Sequence, residues 1–182
     1  MYSVLPLQAS ALKGSSADQR VLGLVRDHLD AVVRTLAKLG VSDSVLDDAA
    51  QQVFVIATGK LAGIEVGRER PYLLGIALRV ASHARRTVQR RRESPLDDEL
   101  ALPEHAPLPD QLLDERRAHA LLDAVVAELP DGMREAFVLF EIEELSASEV
   151  AELLDIPIGT VASRVRRARE HVRQNLLRAR KP

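Results

Sequence analysis

Between Ile156 and Glu170 the chain reads IPIGTVASRVRRARE, with Arg164, Arg166, Arg167 and Arg169 close together and Val161, Val165 and Ala168 in a row among them. Guanidinium groups at this density make contacts rather than break bonds. Each can fork onto guanine O6 and N7, with about 1–3 kcal/mol of discrimination per good bidentate pair, or hold a phosphate. Coiled as a helix, Val161, Val165, Ala168 and Val172 fall on one stripe that packs inward. Ser163, Arg166 and Arg167 then point elsewhere and are free to enter a major groove. Arg164, Arg169 and Arg173 are set to hold phosphates, which positions a helix without reading sequence.

The preceding stretch, LSASEVAELLDIP, supplies the device that positions them. It opens with Ser146-x-x-Glu149, a capping-box pattern: the serine oxygen accepts from the Glu149 amide while the glutamate reaches back to the serine amide. Val150, Leu153 and Leu154 share one face. Asp155 stands where the chain must turn, and aspartate tolerates the left-handed conformation better than most non-glycine residues. Pro157 stops the first helix from continuing. A short helix, a tight turn and a second helix with a basic outer face predict a helix-turn-helix.

The formal net charge of −2 hides a division. Arg68 to Glu93 carries +6, Pro157 to Pro182 carries +7, and the rest of the chain −15. Two separate basic blocks point to two contacts with a polyanion. Ahead of the first block, Val21, Leu22, Val25, Leu29, Val32, Val33, Leu36 and Leu39 follow a helical period from a cap at Asp18 to a stop at Gly40. A second helix is expected from about Ser44, with Val45, Ala49, Val53, Phe54 and Ala57 inward, and a third from about Pro71 to Arg92, with a glycine-rich loop between. ESPLDDELALPEHAPLPDQ, with four prolines and many acids, reads as a linker able to lie transiently on the basic surfaces. Helices over about 112–129 and 133–143 lead into the helix-turn-helix. No strand-like alternation of useful length occurs. The fold class is all-α: two small helical domains joined by a Pro-rich acidic linker, with boundaries 1–17 (flexible N-terminus), 18–93, 94–111 (linker) and 112–182.

Other chemistry is disfavoured. There is no cysteine, and the five histidines show no metal-ligand spacing, so no metal site and no cofactor are expected. No phosphate loop or nucleophile elbow occurs, and acid pairs such as Glu143-Glu144 and Asp97-Asp98 read as ordinary solvated carboxylates. The chain is therefore not expected to be an enzyme. Neither a secretion signal nor an apolar run of spanning length is present, which fits a cytoplasmic location without membrane insertion.

The stretch ELPDGMREAFVLFEIEELSASEVAELLDIPIGTVASRVRRARE resembles the fourth conserved region of bacterial sigma-70 family factors, specifically the compact extracytoplasmic function group, above all in P-x-G-T-V-x-S-R-x-x-R-A-R. DDAAQQVFV and RPYLLGIALRVASHARRTVQRRR are similar to that group's second region. The resemblance implies an RNA polymerase subunit that brings the core enzyme to promoter DNA, under control of an anti-sigma protein. It places Thr160, Ser163, Arg164, Arg166, Arg167 and Arg169 at the −35 element, and Arg70, Tyr72, Arg79, His83 and Arg86 at the −10 element. Asp47, Asp48, Gln51 and Gln52 are placed against the clamp helices of the largest polymerase subunit.

The sequence departs from that family's pattern at Ala162 (usually basic), Asp155 (usually glycine), Gln52 (usually glutamate), Tyr72 (often tryptophan) and Arg79 (commonly asparagine). Single-strand capture ordinarily uses aromatic platforms beside a basic groove. Here Arg79, Arg85, Arg86, Arg90, Arg91 and Arg92 supply the groove and Tyr72 is the sole aromatic candidate, so capture is expected to rely on charge and on the loop AGIEVGRER. Two other functions share parts of this pattern. A helix-turn-helix regulator acting without polymerase normally needs a dimer spanning half-sites about 34 Å apart, and no dimerisation heptad is visible. A sigma-mimicking partner-switch protein would have no use for the arginine face.

Overall fold

The computed structural model describes residues 16–92 and 120–179; the linker 94–111 and the N-terminal 1–15 lie outside them. Helix α1 (Ser16–Lys38) ends where the apolar period ends. Gly40, at φ +86°, lets the Val41 amide donate to Leu36 and its own amide to Ala37, satisfying carbonyls that the helix end leaves free. Helix α2 (Asp43–Thr58) buries Leu46, Ala49, Ala50, Val53, Phe54 and Ala57. A short 3-10 turn (Leu61–Gly63) and a loop lead to α3 (Glu69–Arg92), whose Leu73, Leu74, Ile76, Ala77 and Ala81 close the core of a three-helix bundle.

Three apolar positions expected to face inward do not. Leu22 is 48% exposed, Leu29 40% and Val45 38%. Leu22 and Leu29 lie one heptad apart on the flank of α1, while the bundle packs on the stripe through Leu24, Val32, Leu36 and Leu39. Val45 flanks the α2 stripe in the same way. The third helix starts at Glu69, two residues before the expected proline start.

The second module begins with α4 (residues 120–127), then α5 (Asp131–Phe137), a π-helical turn (Val138–Ile142), α6 (Ala147–Leu154) and α7 (Ile158–Ala179). The segment read as one helix over 133–143 therefore changes pitch midway, because the Glu143 amide donates five residues back, to Val138. Val126, Leu129, Val138, Leu139 and Val150 form its core with Val161, Val165, Ala168 and Val172 of α7, the stripe read from the sequence. Arg134 clasps the end of α4, donating to the carbonyls of Val126, Ala127 and Leu129. A cation there completes acceptors that the helix end leaves open. Among the described residues no helix is long and apolar enough to cross a membrane.

Candidate nucleic-acid interface

Helices α6 and α7 are fixed by local chemistry. Ser146 Oγ accepts from the Glu149 amide at 3.3 Å, and Glu149 Oε2 accepts from the Ser146 amide at 2.8 Å, so both halves of the capping box form. These hydrogen bonds to Ser146 hold the Glu149 carboxyl below its ordinary range. Asp155 adopts φ 51°, ψ 51°, the left-handed turn its residue type allows, and its amide and that of Ile156 close the α6 carbonyls. Pro157 accepts from the Thr160 and Val161 amides, which starts α7 in its new direction.

This frame presents α7 with its arginines divided. Arg166 and Arg167 are exposed and point away from the packed stripe. Ser163 is half-buried and donates to the Thr160 carbonyl at 2.9 Å. Thr160 is half-buried on the first turn. Arg164 leans on Gly132 of α5, with Nη1 3.5 Å from its carbonyl oxygen. Arg169 pairs with Glu141 and lies over the Phe140 ring, and Arg173 pairs with Glu170. The three arginines assigned to phosphates thus already have partners within the chain, whereas the two assigned to bases are free of ion pairs among the described residues.

A family profile described as sigma-70, region 4, matches residues 119–172. The chain is 31% identical over 154 residues to the ECF RNA polymerase sigma factor SigE of Mycolicibacterium smegmatis, covering 84% of this chain and 60% of the relative. It is 32% identical over 176 residues to the ECF sigma factor SigC of Mycobacterium tuberculosis, covering 92% of this chain and 88% of that one. The chain belongs to the extracytoplasmic function sigma factors. In fold, this sigma factor is similar to RpoE of Bartonella quintana, solved in complex with the anti-sigma factor NepR, at a TM-score of 0.64 and 22% identity over 87% of this chain and 95% of that one.

In the N-terminal module of this sigma factor, Tyr72, Arg79, His83 and Arg86 are spaced on one row of α3, the last three exposed. Arg86 donates to the Ser82 carbonyl and hydroxyl, which lays it along the helix. Tyr72 is half-buried against the core and lines a hollow of about 260 Å³ with Gly63, Ile64 and Arg68 of the expected capture loop and Glu152 and Leu153 of α6. Arg70 is not with the row: it pairs with Glu143 at 2.9 Å, in the other module. Arg85, placed in the basic groove, likewise turns away and pairs with Glu135. The side chains of Arg90, Arg91 and Arg92 lie outside the described ones. Asp47, Asp48, Gln51 and Gln52 are all exposed on α2, followed by Val55 at 62% exposure.

The reading of Glu143 as a solvated carboxylate is overturned. Its side chain is fully buried and chelated by Arg34 at 2.9 and 3.0 Å and by Arg70. The π-helical turn immediately before it and the positive φ of Glu144 (54°) aim it toward the first module. Neighbouring sequence carries no signal for this, because both partners come from distant helices.

Proposed function

We propose that this sigma factor carries core RNA polymerase to particular promoters and starts transcription there. The observation that carries the reading is the exposed pair Arg166 and Arg167, without ion pairs among the described residues, on a helix held by the Ser146–Glu149 cap and the Asp155 turn. A fork of donors on a helix of this kind suits guanine edges in a major groove. We assign residues 112–182 to the −35 element, with Thr160 and Ser163 beside those arginines and Arg164 and Arg169 as secondary phosphate contacts. Residues 18–93 are assigned to the polymerase and the −10 element, with Asp47, Asp48, Gln51 and Gln52 on the polymerase and Arg70, Tyr72, Arg79, His83 and Arg86 on the DNA. Residues 94–111 tether the two.

Each contact alone is weak, and the tether raises the effective concentration of the second once the first is made. An anti-sigma protein is the proposed negative partner, since the RpoE chain of similar fold was solved with one. The protein supplies no bond-making group and acts in the cytoplasm, where the polymerase is. The test is run-off transcription with core polymerase on a genomic fragment library, with start sites mapped. Discrete starts sharing two spaced elements are expected. Failure to associate with core polymerase in a pull-down, or a two-fold symmetric footprint made by the protein alone, would overturn it in favour of a regulator acting without polymerase.

A further inference from the structure

The two modules meet through charge, and the charges are sorted. Arg34 and Arg70 of the first module enclose Glu143 of the second. Around that buried group, Lys38 pairs with Asp123, and Arg85 reaches Glu135 at 3.2 Å and Asp131 at 3.5 Å. Arg68 faces Glu152 at 3.5 Å on the rim. Among the described residues, every ion pair across this junction takes its cation from the first module and its anion from the second, although Arg134 of the second module also stands close to Gly40. Apolar packing joins the modules as well: buried residues of both belong to one hydrophobic cluster, and Gly75 of α3 leaves room for Leu153 of α6, whose Cδ2 would stand 2.8 Å from an added Cβ.

A carboxylate taken wholly out of water is costly unless paired, and among the described residues both partners of Glu143 come from the other module. Closure is therefore what stabilises Glu143 where it stands. The same closure occupies Arg70, Arg85 and Arg68, three bases of the block that gives the first module its positive charge.

We propose that the second module carries an internal polyanion mimic: its acidic face seats on the cationic face of the first module, holds the unbound chain closed and withdraws Arg70 until a competing polyanion or high salt releases it. The closed state is a property of the chain alone. Its consequence for DNA, that Arg70 becomes available only on opening, rests on the function proposed above.

The chain has no cysteine, so a labelled pair is easily placed. Lys60→Cys and Gln174→Cys, both at exposed positions in different modules, carry donor and acceptor dyes for single-molecule energy transfer on the full chain. One high-transfer population is expected at about 50 mM NaCl, with a low-transfer population growing severalfold toward about 1 M as the rim pairs are screened. Glu143→Gln is expected to lower the closed-to-open ratio at least about tenfold, because one partner of a buried ion pair is removed. Asp123→Lys reverses an exposed charge, and Gly75→Leu adds bulk at the contact on a helix that favours leucine over glycine; each should open the chain severalfold even if Glu143→Gln fails to fold. Opened variants should bind a single-stranded oligonucleotide more tightly at low salt than the parent. A broad distribution in the parent at low salt, or one unchanged by Asp123→Lys and Gly75→Leu, would overturn the proposal. Neither result bears on polymerase association, which the run-off experiment measures separately.

Discussion

Arg169 Nε donates to Glu141 Oε1 at 2.7 Å while its guanidinium lies 5.8 Å from the centroid of the Phe140 ring. The π-helical turn thus holds one arginine of α7 by charge and by ring at once. On the function proposed above, this carboxylate would compete with a DNA phosphate for the same cation. We expect Glu141→Gln to raise duplex affinity about twofold to fourfold at low salt, the worth of a surface pair. The salt dependence should steepen by about one phosphate contact. Arg169→Ala should change little in the parent and abolish the gain in the Glu141→Gln background. Fluorescence anisotropy with a −35 duplex, run as a double-mutant cycle, checks this; weaker binding by Glu141→Gln would show that Glu141 positions Arg169 for DNA instead.

Arg134 is the internal strut of the second module. Its side chain is 12% exposed and serves the carbonyls of Val126, Ala127 and Leu129, at the junction of α4 and α5. Burial pushes its guanidinium pKa down, yet arginine stays charged. Arg134→Ala leaves three acceptors open and should cost about 2–3 kcal/mol, read as a shift in urea midpoint. Arg134→Lys should recover less than half of that, because a single ammonium lacks the planar fork that reaches several acceptors.

The turn into α7 and its packed stripe were legible because their information is local. The Ser146–Glu149 cap, the Asp155 turn, Pro157 and the Val161–Val172 stripe are each set by residues within a turn or two, and all four are observed. The junction was illegible because its information is tertiary. Glu143 looks like any exposed acid until α1 and α3 deliver Arg34 and Arg70. Glu144 takes a positive φ with none of the residue types that announce one, and the bond from the Glu143 amide to Val138 has no sequence mark. Leu22 and Val45 were misplaced for a related reason: periodicity gives a stripe, but the packing partner decides which edge of it is covered.

The cap of α6 should titrate. Hydrogen bonds to Ser146 lower the Glu149 carboxyl from its ordinary 4.5. A depressed carboxylate contributes stability that is fully present above that ordinary value and is lost as pH falls through the folded one. Thermal melts of the parent and Glu149→Gln should therefore differ most at neutral pH and converge as pH falls from about 5 toward 3. Ser146→Ala should cost about 1 kcal/mol at neutral pH. A gap between parent and Glu149→Gln that stays constant with pH would show that the carboxylate contributes nothing through its charge.

Tyr72 stands between two roles, and its position favours the structural one. Its ring packs on the first module's core and walls the hollow shared with the loop at Gly63 and Ile64. An aromatic that stacks on an extruded base contributes about 1–3 kcal/mol, so its loss would all but end strand opening if it were the only platform. We expect Tyr72→Leu, which keeps apolar bulk, to retain most permanganate reactivity of promoter thymines in a polymerase complex. Arg79→Ala should lose several times more if, as proposed, the exposed row of Arg79 and Arg86 supplies the attraction for the displaced strand. Tyr72→Ala adds the packing defect and should lower thermal stability, but opening should persist below the melting transition. Complete loss of permanganate reactivity in both Tyr72 variants, with Arg79→Ala intact, would make Tyr72 the base platform and remove the loop and the arginine row from that role.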